Sequence, residues 1–493
     1  MDLRSFIHLL EREGELVRVR AEVDPYLEMA EIADRASKAH GPALLFERPV
    51  RRGAPGGAAA GLGRVSAWDA PLPPVLMNQF GSFRRLELAL GASLDELAGR
   101  LAGLLELDLP SGLAAKVRAL GELRELASFA PKTVKKGAFR EVVVEPPDLT
   151  RLPVLTTWPG DGGPFITMPV VVTRDRAGRR NAGMYRLQVY DERTTGMHWH
   201  VHHDGAANFR AADRRLEVAV ALGTDPVVTY AATAPLPPGI SEFLFAGLLR
   251  GAPVELAPCA TVDLEVPADA EIVLEGYVDK DETRREGPFG DHTGYYSLAD
   301  EYPVFHVTAM SHRRDPVYPA TIVGRPPMED AYLGKATERL FLPLLKLVQP
   351  EIVDMDLPIE GVFHDCAIVA IRKSYPGQAR KVMNAVWGMG QMMFTKFVVV
   401  VDEHVDVHDY SEVTWRVFNN VDPRRDCVVV DGPLDVLDHS SPSPRYGAKM
   451  GVDATRTWPE EGHGREWPAE LAQDPDVVRR VSERWAELGL PFA

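Results

Sequence analysis

Cysteine is nearly absent from this chain. Cys259, Cys366 and Cys427 are its only three, far apart and in no CxxC pairing. That argues against a disulfide framework or a thiolate zinc site, and for a reducing, cytoplasmic setting. Positive charge is also scarce, with 55 Lys and Arg against 71 Asp and Glu and a formal net charge of −16. Such a surface repels phosphate backbones, so nucleic acid is not an expected partner, and an anionic ligand would need a local cation. Long apolar runs are missing too: none reaches the length of a membrane span, so stable membrane insertion is not expected. The start, Met1-Asp2-Leu3-Arg4-Ser5-Phe6, lacks the basic region and apolar run of a targeting segment. What remains is a soluble globular composition over 493 residues, too long for one ordinary core, so two to four domains are expected.

The periodicity divides the chain. Asp2 can cap a first helix whose Leu3, Phe6, Ile7 and Leu10 share a face. A strand around Glu15–Val19 and a helix around Leu27–Ala39 follow. Arg51 to Pro74, rich in Gly, Ala and Pro, reads as a flexible surface loop. Ser93-Leu-Asp-Glu96 has the form of a capping box, with Leu94, Leu97, Leu101, Leu104 and Leu105 as the apolar stripe behind it. From Arg140 to Met310 short β-like runs dominate: Glu141–Val144, Met168–Thr173, Tyr185–Tyr190, Val218–Leu222, Val227–Thr229, Glu271–Val278 and Val304–Met310. One helix near Ser241–Arg250 interrupts them, and the pattern suits a barrel or sandwich. Beyond Gly324 helices alternate with strands: helices at Leu333–Val348, Ala379–Val386 and Tyr410–Asn419, strands at Cys366–Ile371 and Phe397–Val401. The last strand is apolar enough to be buried on both faces. Asp474-Pro475 opens a final helix with Val477, Val478, Val481, Trp485 and Leu488 on one side. The expected class is a multidomain α+β protein. Its parts are an N-terminal α/β domain over 1–131, a strand-rich domain over 132–323, a C-terminal α/β domain over 324–470 and a docking helix over 471–493.

Two stretches carry the chemistry: Asn181-Ala-Gly-Met-Tyr-Arg186, continuing to His198-Trp-His-Val-His-His-Asp204, and Glu286-Gly-Pro-Phe-Gly-Asp291-His292-Thr-Gly-Tyr-Tyr296. On a strand, His198, His200 and His202 would share one face and could ligate a metal, or simply be solvated. Asn181 follows a turn and could satisfy its own backbone. Arg186 could clamp an anion or pair across a sheet. Glu286 and Asp291 bracket a tight turn, where neighbouring carboxylates separate in pKa, or they hold Arg284 or Arg285 in surface ion pairs. Glu242 opens a helix, which first-turn electrostatics would also explain.

Together these segments resemble the UbiD-like decarboxylases, which use prenylated flavin mononucleotide (FMN). Asp263-Leu-Glu-Val-Pro-Ala and Glu271-Ile-Val-Leu-Glu-Gly add to the likeness, which spans essentially the whole chain. The resemblance implies a central split β-barrel that binds prenylated FMN. It makes Asn181, His202 and Glu242 ligands of a manganese-type ion that bridges to the cofactor phosphate, with potassium as a further ion. Lys396 is similar to the family's phosphate-contacting lysine. Met184, Tyr185, His198, Trp199, His200, His203 and Asp204 fall where the family touches the flavin. Arg186, Glu286 and Asp291 become the catalytic trio: Arg186 binds the substrate carboxylate and Glu286 orients Arg186. Asp291, protonated in a dry pocket, delivers the proton that replaces carbon dioxide. The modified flavin would be the electron sink, through a covalent adduct with the substrate. The implied activity is that of a carboxy-lyase, the reversible non-oxidative decarboxylation of an aromatic or α,β-unsaturated acid. The site would lie between the barrel and the C-terminal domain of a homodimer or homohexamer, with a flavin prenyltransferase as cofactor supplier.

Asp291 stands where the cinnamic-acid branch carries Glu, and so resembles the branch acting on hydroxylated aromatic acids such as 4-hydroxybenzoate or naphthoate derivatives. His200 and His203 replace residues often Gln and Lys, and the Arg51–Pro74 loop is longer than usual. Two other readings compete. A metal-dependent hydrolase would place zinc on His198, His200, His202 and Asp204, although position 202 is His where that signature wants Asp. A non-catalytic flavin- or partner-binding homologue would have lost part of the trio, and all three residues are present.

Overall fold

A computed structural model describes residues 1–52, 71–105, 124, 126–200, 204–237 and 239–490. Most of the Arg51–Pro74 loop, the Leu104 and Leu105 side chains, His202 and His203 lie outside the described residues.

The first helix, Leu3–Arg12, begins where Asp2 accepts the Ser5 amide at 2.9 Å, and it buries Leu3, Phe6, Ile7 and Leu10. Strands Leu16–Val23, Ala43–Pro49 and Val75–Met77 form a sheet whose last member, Tyr318–Pro319, arrives from far along the chain. The Ser93 hydroxyl caps the Glu96 amide at 3.2 Å, while Glu96 turns to Arg100 rather than back to Ser93. Half of the expected capping box is formed.

The strand-rich middle builds one large sheet in the order Thr194–Gly196, Asp300–His312, Ile272–Glu286, Arg215–Leu222, Val170–Arg174, Arg180–Met184, with Val142–Val144 pairing onto Asp300–His312. No pairing among the described residues closes this path. Two expected strands fail for local reasons. Val227–Thr229 lies inside a helix, Pro226–Ala231, because the Asp225 carboxylate caps the Val227 amide at 3.0 Å and proline occupies the first turn. Cap and proline outweigh the β-branched run. Of Tyr185–Tyr190 only Leu187–Gln188 forms a ladder, with Phe165–Ile166. His198–His200 also belong to no strand, so strand alternation does not set the directions of His198 and His200.

The C-terminal part is a five-stranded sheet, Ile352–Asp356, Cys366–Ile371, Phe397–Asp402, Tyr446–Asp453 and Cys427–Pro433 in that order, with helices Glu329–Val348, Gln378–Trp387 and Tyr410–Asn420. Phe397–Asp402 is central but not sealed on both sides: Val398, Val400 and Val401 are buried and Phe397 is exposed. The final helix, Pro475–Glu483, is capped by Asp474 as expected, but none of its residues is buried, and Val478, Val481 and, just beyond it, Leu488 face outward. Val477 and, beyond the helix, Trp485 are half-buried.

Candidate active site

Glu286 ends the long strand Ile272–Glu286, and Asp291 follows one turn later. Between them Gly287 sits at φ +90°, where a β-carbon is strained, and its amide donates to Gln188 Oε1 at 2.7 Å. Phe289–Gly290 pairs with Tyr296–Ser297 to pin the turn. Arg186 lies in the break between strands Arg180–Met184 and Leu187–Gln188, so strict alternation no longer sets its direction.

These elements converge. Arg186 Nε donates to Glu286 Oε1 at 3.1 Å, Nη1 to Asp291 Oδ2 at 2.6 Å and Nη2 to Ser297 Oγ at 3.1 Å. The guanidinium carbon lies 4.3 Å from the centre of the Phe289 ring. His198 Nδ1 approaches Glu286 Oε1 at 2.8 Å, and its ring packs on Tyr302. Arg284 reaches instead toward Asp191, so the surface ion-pair reading of the two carboxylates fails.

Burial raises the Glu286 carboxyl, but His198 and Arg186 bring it below the ordinary carboxylate value. Burial likewise works against the charge on Asp291, yet Arg186 and His292 hold it well below the usual range. Asp291 is therefore anionic, contrary to the expectation of a protonated acid. Asp291 is buried, but its two cationic partners outweigh the cost of desolvation. His292 Nδ1 lies 2.9 Å from Asp291 Oδ1. Burial lowers its imidazole, and the Asp291 carboxylate more than compensates, pushing it up to about 9.

A second focus lies on the strand Arg180–Met184. Asn181 Nδ2 donates to Glu242 Oε1 at 3.0 Å, and the Ala182 amide donates to Glu242 Oε2 at 3.1 Å. Glu242 is the first residue of the helix Glu242–Arg250, but its carboxylate is committed to this strand. Burial raises its pKa. Asn181 Oδ1 is buried with no hydrogen-bond partner among the described residues, an orphaned acceptor beside a buried acid, which suits a cation. Trp199 Nε1 is another buried donor without a partner. Tyr185 and Trp199 are buried, and Trp199 packs on Phe209. The Met184 amide donates to Ala232, and Asp204 opens the helix Asp204–Ala211. Lys396 Nζ lies 2.8 Å from Asp438 and is bonded to Ser440.

Sequence reasoning gave no role to Ser297 and Phe289, which reach Arg186 only through tertiary contacts. Among the described residues, His198, His200 and Asp204 do not form a metal-binding group. Among the described residues, the one group of three whose donor atoms could share an ion is Glu338, Asp356 and His408, and Lys335 Nζ already bonds both carboxylates there. The hydrolase reading is not favoured.

The chain is mixed α/β and holds an arginine between two buried carboxylates. Residues 7–105, 132–326 and 331–454 match family models described as the N-terminal, Rift-related and C-terminal domains of 3-octaprenyl-4-hydroxybenzoate carboxy-lyase, UbiD. The chain belongs to the UbiD family of carboxy-lyases. A protein of Archaeoglobus fulgidus is 52% identical over 494 residues, covering 99% of this chain and 98% of its own. The closed form of vanillic acid decarboxylase from Sedimentibacter hydroxybenzoicus superposes with a TM-score of 0.82 at 28% identity, covering 99% of this chain and 98% of that one. The UbiD-class enzyme HmfF from Pelotomaculum thermopropionicum, in complex with FMN, gives 0.77 at 31% identity, covering 97% and 98%. An evolved dimeric form of HmfF, in complex with prFMN, gives 0.74 at 30% identity over the same shares.

Proposed function

We propose that this enzyme decarboxylates an aromatic or α,β-unsaturated carboxylic acid with prenylated FMN, and that the acid is a hydroxyarene acid. The observation that carries the reading is the Arg186 guanidinium, buried between Glu286 and Asp291 and backed by Phe289. A planar guanidinium fixed on one edge by Glu286 offers its other edge to a carboxylate. A substrate carboxylate there competes with Asp291 for Arg186. Losing that partner raises the proton affinity of Asp291, which then places a proton where carbon dioxide leaves. Phe289 keeps one face of the guanidinium dry, which strengthens both ion pairs.

Asn181 and Glu242, with His202, would hold a manganese-type ion against the cofactor phosphate, and the orphaned Asn181 Oδ1 supports that assignment. Tyr185, Trp199, His200 and Asp204 would line the flavin. The bound flavin supplies an electron sink for the carbon that loses carbon dioxide. The central sheet reads as the split barrel that cradles it, a reading supported by Arg186, just past one edge strand, reaching Glu286 three strands across the order.

The test is to purify the chain from a host co-expressing a flavin prenyltransferase and to identify its bound molecules by mass spectrometry. Carbon dioxide release is then measured on vanillate, 4-hydroxybenzoate, a hydroxynaphthoate and cinnamate. Prenylated FMN with manganese, and release from a hydroxylated acid, are expected. Zinc without flavin would return the hydrolase to consideration.

A further inference from the structure

Asp291 is anionic at rest, so the proton it must deliver is stored elsewhere, and the structure shows a chain of groups leading away from it. His292 Nδ1 faces Asp291 Oδ1 at 2.9 Å, and His292 Nε2 faces His364 Nε2 at 2.8 Å. Two ring nitrogens that close must share a proton, since two lone pairs would repel. His364 Nδ1 in turn lies 3.3 Å from Asp365. The Phe363 ring stacks over His292, with centroids 5.2 Å apart and planes 24° from parallel. Val362 and Phe363 both adopt positive φ, 46° and 54°. Such strain in non-glycine residues persists only where surrounding structure imposes it, and it clusters at functional sites. The strained turn belongs to the C-terminal α/β region, whereas His292 belongs to the turn after the long strand Ile272–Glu286.

We propose that His292 and His364 form a proton relay that recharges Asp291, so that the C-terminal α/β region supplies the proton of the decarboxylation proposed above. With Arg186 engaged by the substrate, the Nδ1–H bond of His292 breaks and an O–H bond forms on Asp291; that O–H bond then breaks as the proton passes to the carbon that lost carbon dioxide, which leaves Asp291 anionic again. The histidine pair, left neutral, takes one proton from water through His364. One proton enters for each proton delivered, and no electrons change hands. The groups facing the pair are Asp291 with Arg186 behind it, Asp330 at the start of the helix Glu329–Val348, Asp435 and Asp365. The surrounding acids favour a retained positive charge on the pair. Phe363 covers one face of His292, and His364 lies against its Nε2.

The proposal rests on the decarboxylase reading, and its test separates the two. Glutamine at position 364 keeps a hydrogen-bond partner for His292 but cannot carry a proton onward. In the flavin-loaded enzyme, His364→Gln should slow net carbon dioxide release about tenfold or more. Exchange of carbon-13 bicarbonate into the carboxyl of the acid turned over fastest should persist, because exchange needs no product protonation. In the flavin-free protein labelled with nitrogen-15 histidine, the His292 titration midpoint should lie above the ordinary imidazole range and move in His364→Gln. A wild type that neither releases nor exchanges carbon dioxide overturns the decarboxylase reading itself. A competent wild type matched by an equally competent His364→Gln variant overturns the relay alone. So does a variant in which release and exchange fall together, or a His292 midpoint unmoved by the substitution.

Discussion

Replacing Asp291 by asparagine keeps the shape of the side chain but removes the oxygen that carries the proton and the negative charge that faces Arg186 and His292. Asp291→Asn should abolish turnover while the purified protein keeps its flavin, read by absorbance and mass spectrometry; normal turnover would remove Asp291 from the mechanism. The same residue, paired with His292, sets a pH dependence of stability. A lowered carboxylate stabilises the fold above its ordinary value of 3.8 and loses that contribution only in acid. A raised imidazole stabilises fully below its ordinary 6.5 and loses the contribution as pH rises through about 9. Their pairing therefore contributes most between 3.8 and 6.5 and fades toward 9. Denaturant midpoints of wild type and His292→Gln should differ at about pH 6 and converge above about pH 9; a gap that widens with pH would contradict the pairing.

At the scale of elements, the turn between Glu286 and Asp291 is held by close approach rather than by a large core. Gly290 donates its amide to Asp161 Oδ1 at 2.8 Å, and a β-carbon there would sit 2.1 Å from Trp158 Cδ1. Trp158 cannot easily retreat, because its Nε1 donates to the Val323 carbonyl at 2.9 Å. Gly290→Ala should cost about 1–3 kcal/mol, the usual penalty for overpacking. It should also move Phe289 and Asp291, whose turn it shares, so thermal unfolding and turnover should fall together. An unchanged melting temperature would mean that the turn relaxes freely.

At the scale of the whole molecule, the final helix is an amphipathic element with its apolar side in water. Val478 is 51% exposed and Val481 41%. Its asparagine-free, well-capped start shows that it is built as a helix, and a helix with such a stripe is stabilised chiefly by packing. A second copy of the chain is the partner expected for it, in a dimer or hexamer. Val481→Asp should shift the assembly to smaller species in sedimentation at fixed concentration. An unchanged mass distribution would place the oligomer contacts elsewhere. Elsewhere no helix among the described residues is long and apolar enough to cross a membrane.

What the sequence determined by itself was whatever depends on near neighbours. Asp2, Ser93, Asp409 and Asp474 all cap helices through their own next few amides. The alternation of apolar runs from Cys366 to Val401 also survived as strand, helix, strand. The motif Glu286 to Tyr296 announced a site because so many chemical groups lie in one short stretch. The tertiary structure decided the charges and the partners. Asp291 reads as a buried acid until Arg186 and His292 are seen on either side of it, and His198 reads as a metal ligand until Glu286 is found 2.8 Å away. His364 carried no local signal at all, since only the packing of the C-terminal sheet brings it to His292. A pKa is set by every charge within a few ångströms, and those neighbours come from residues far apart in the chain.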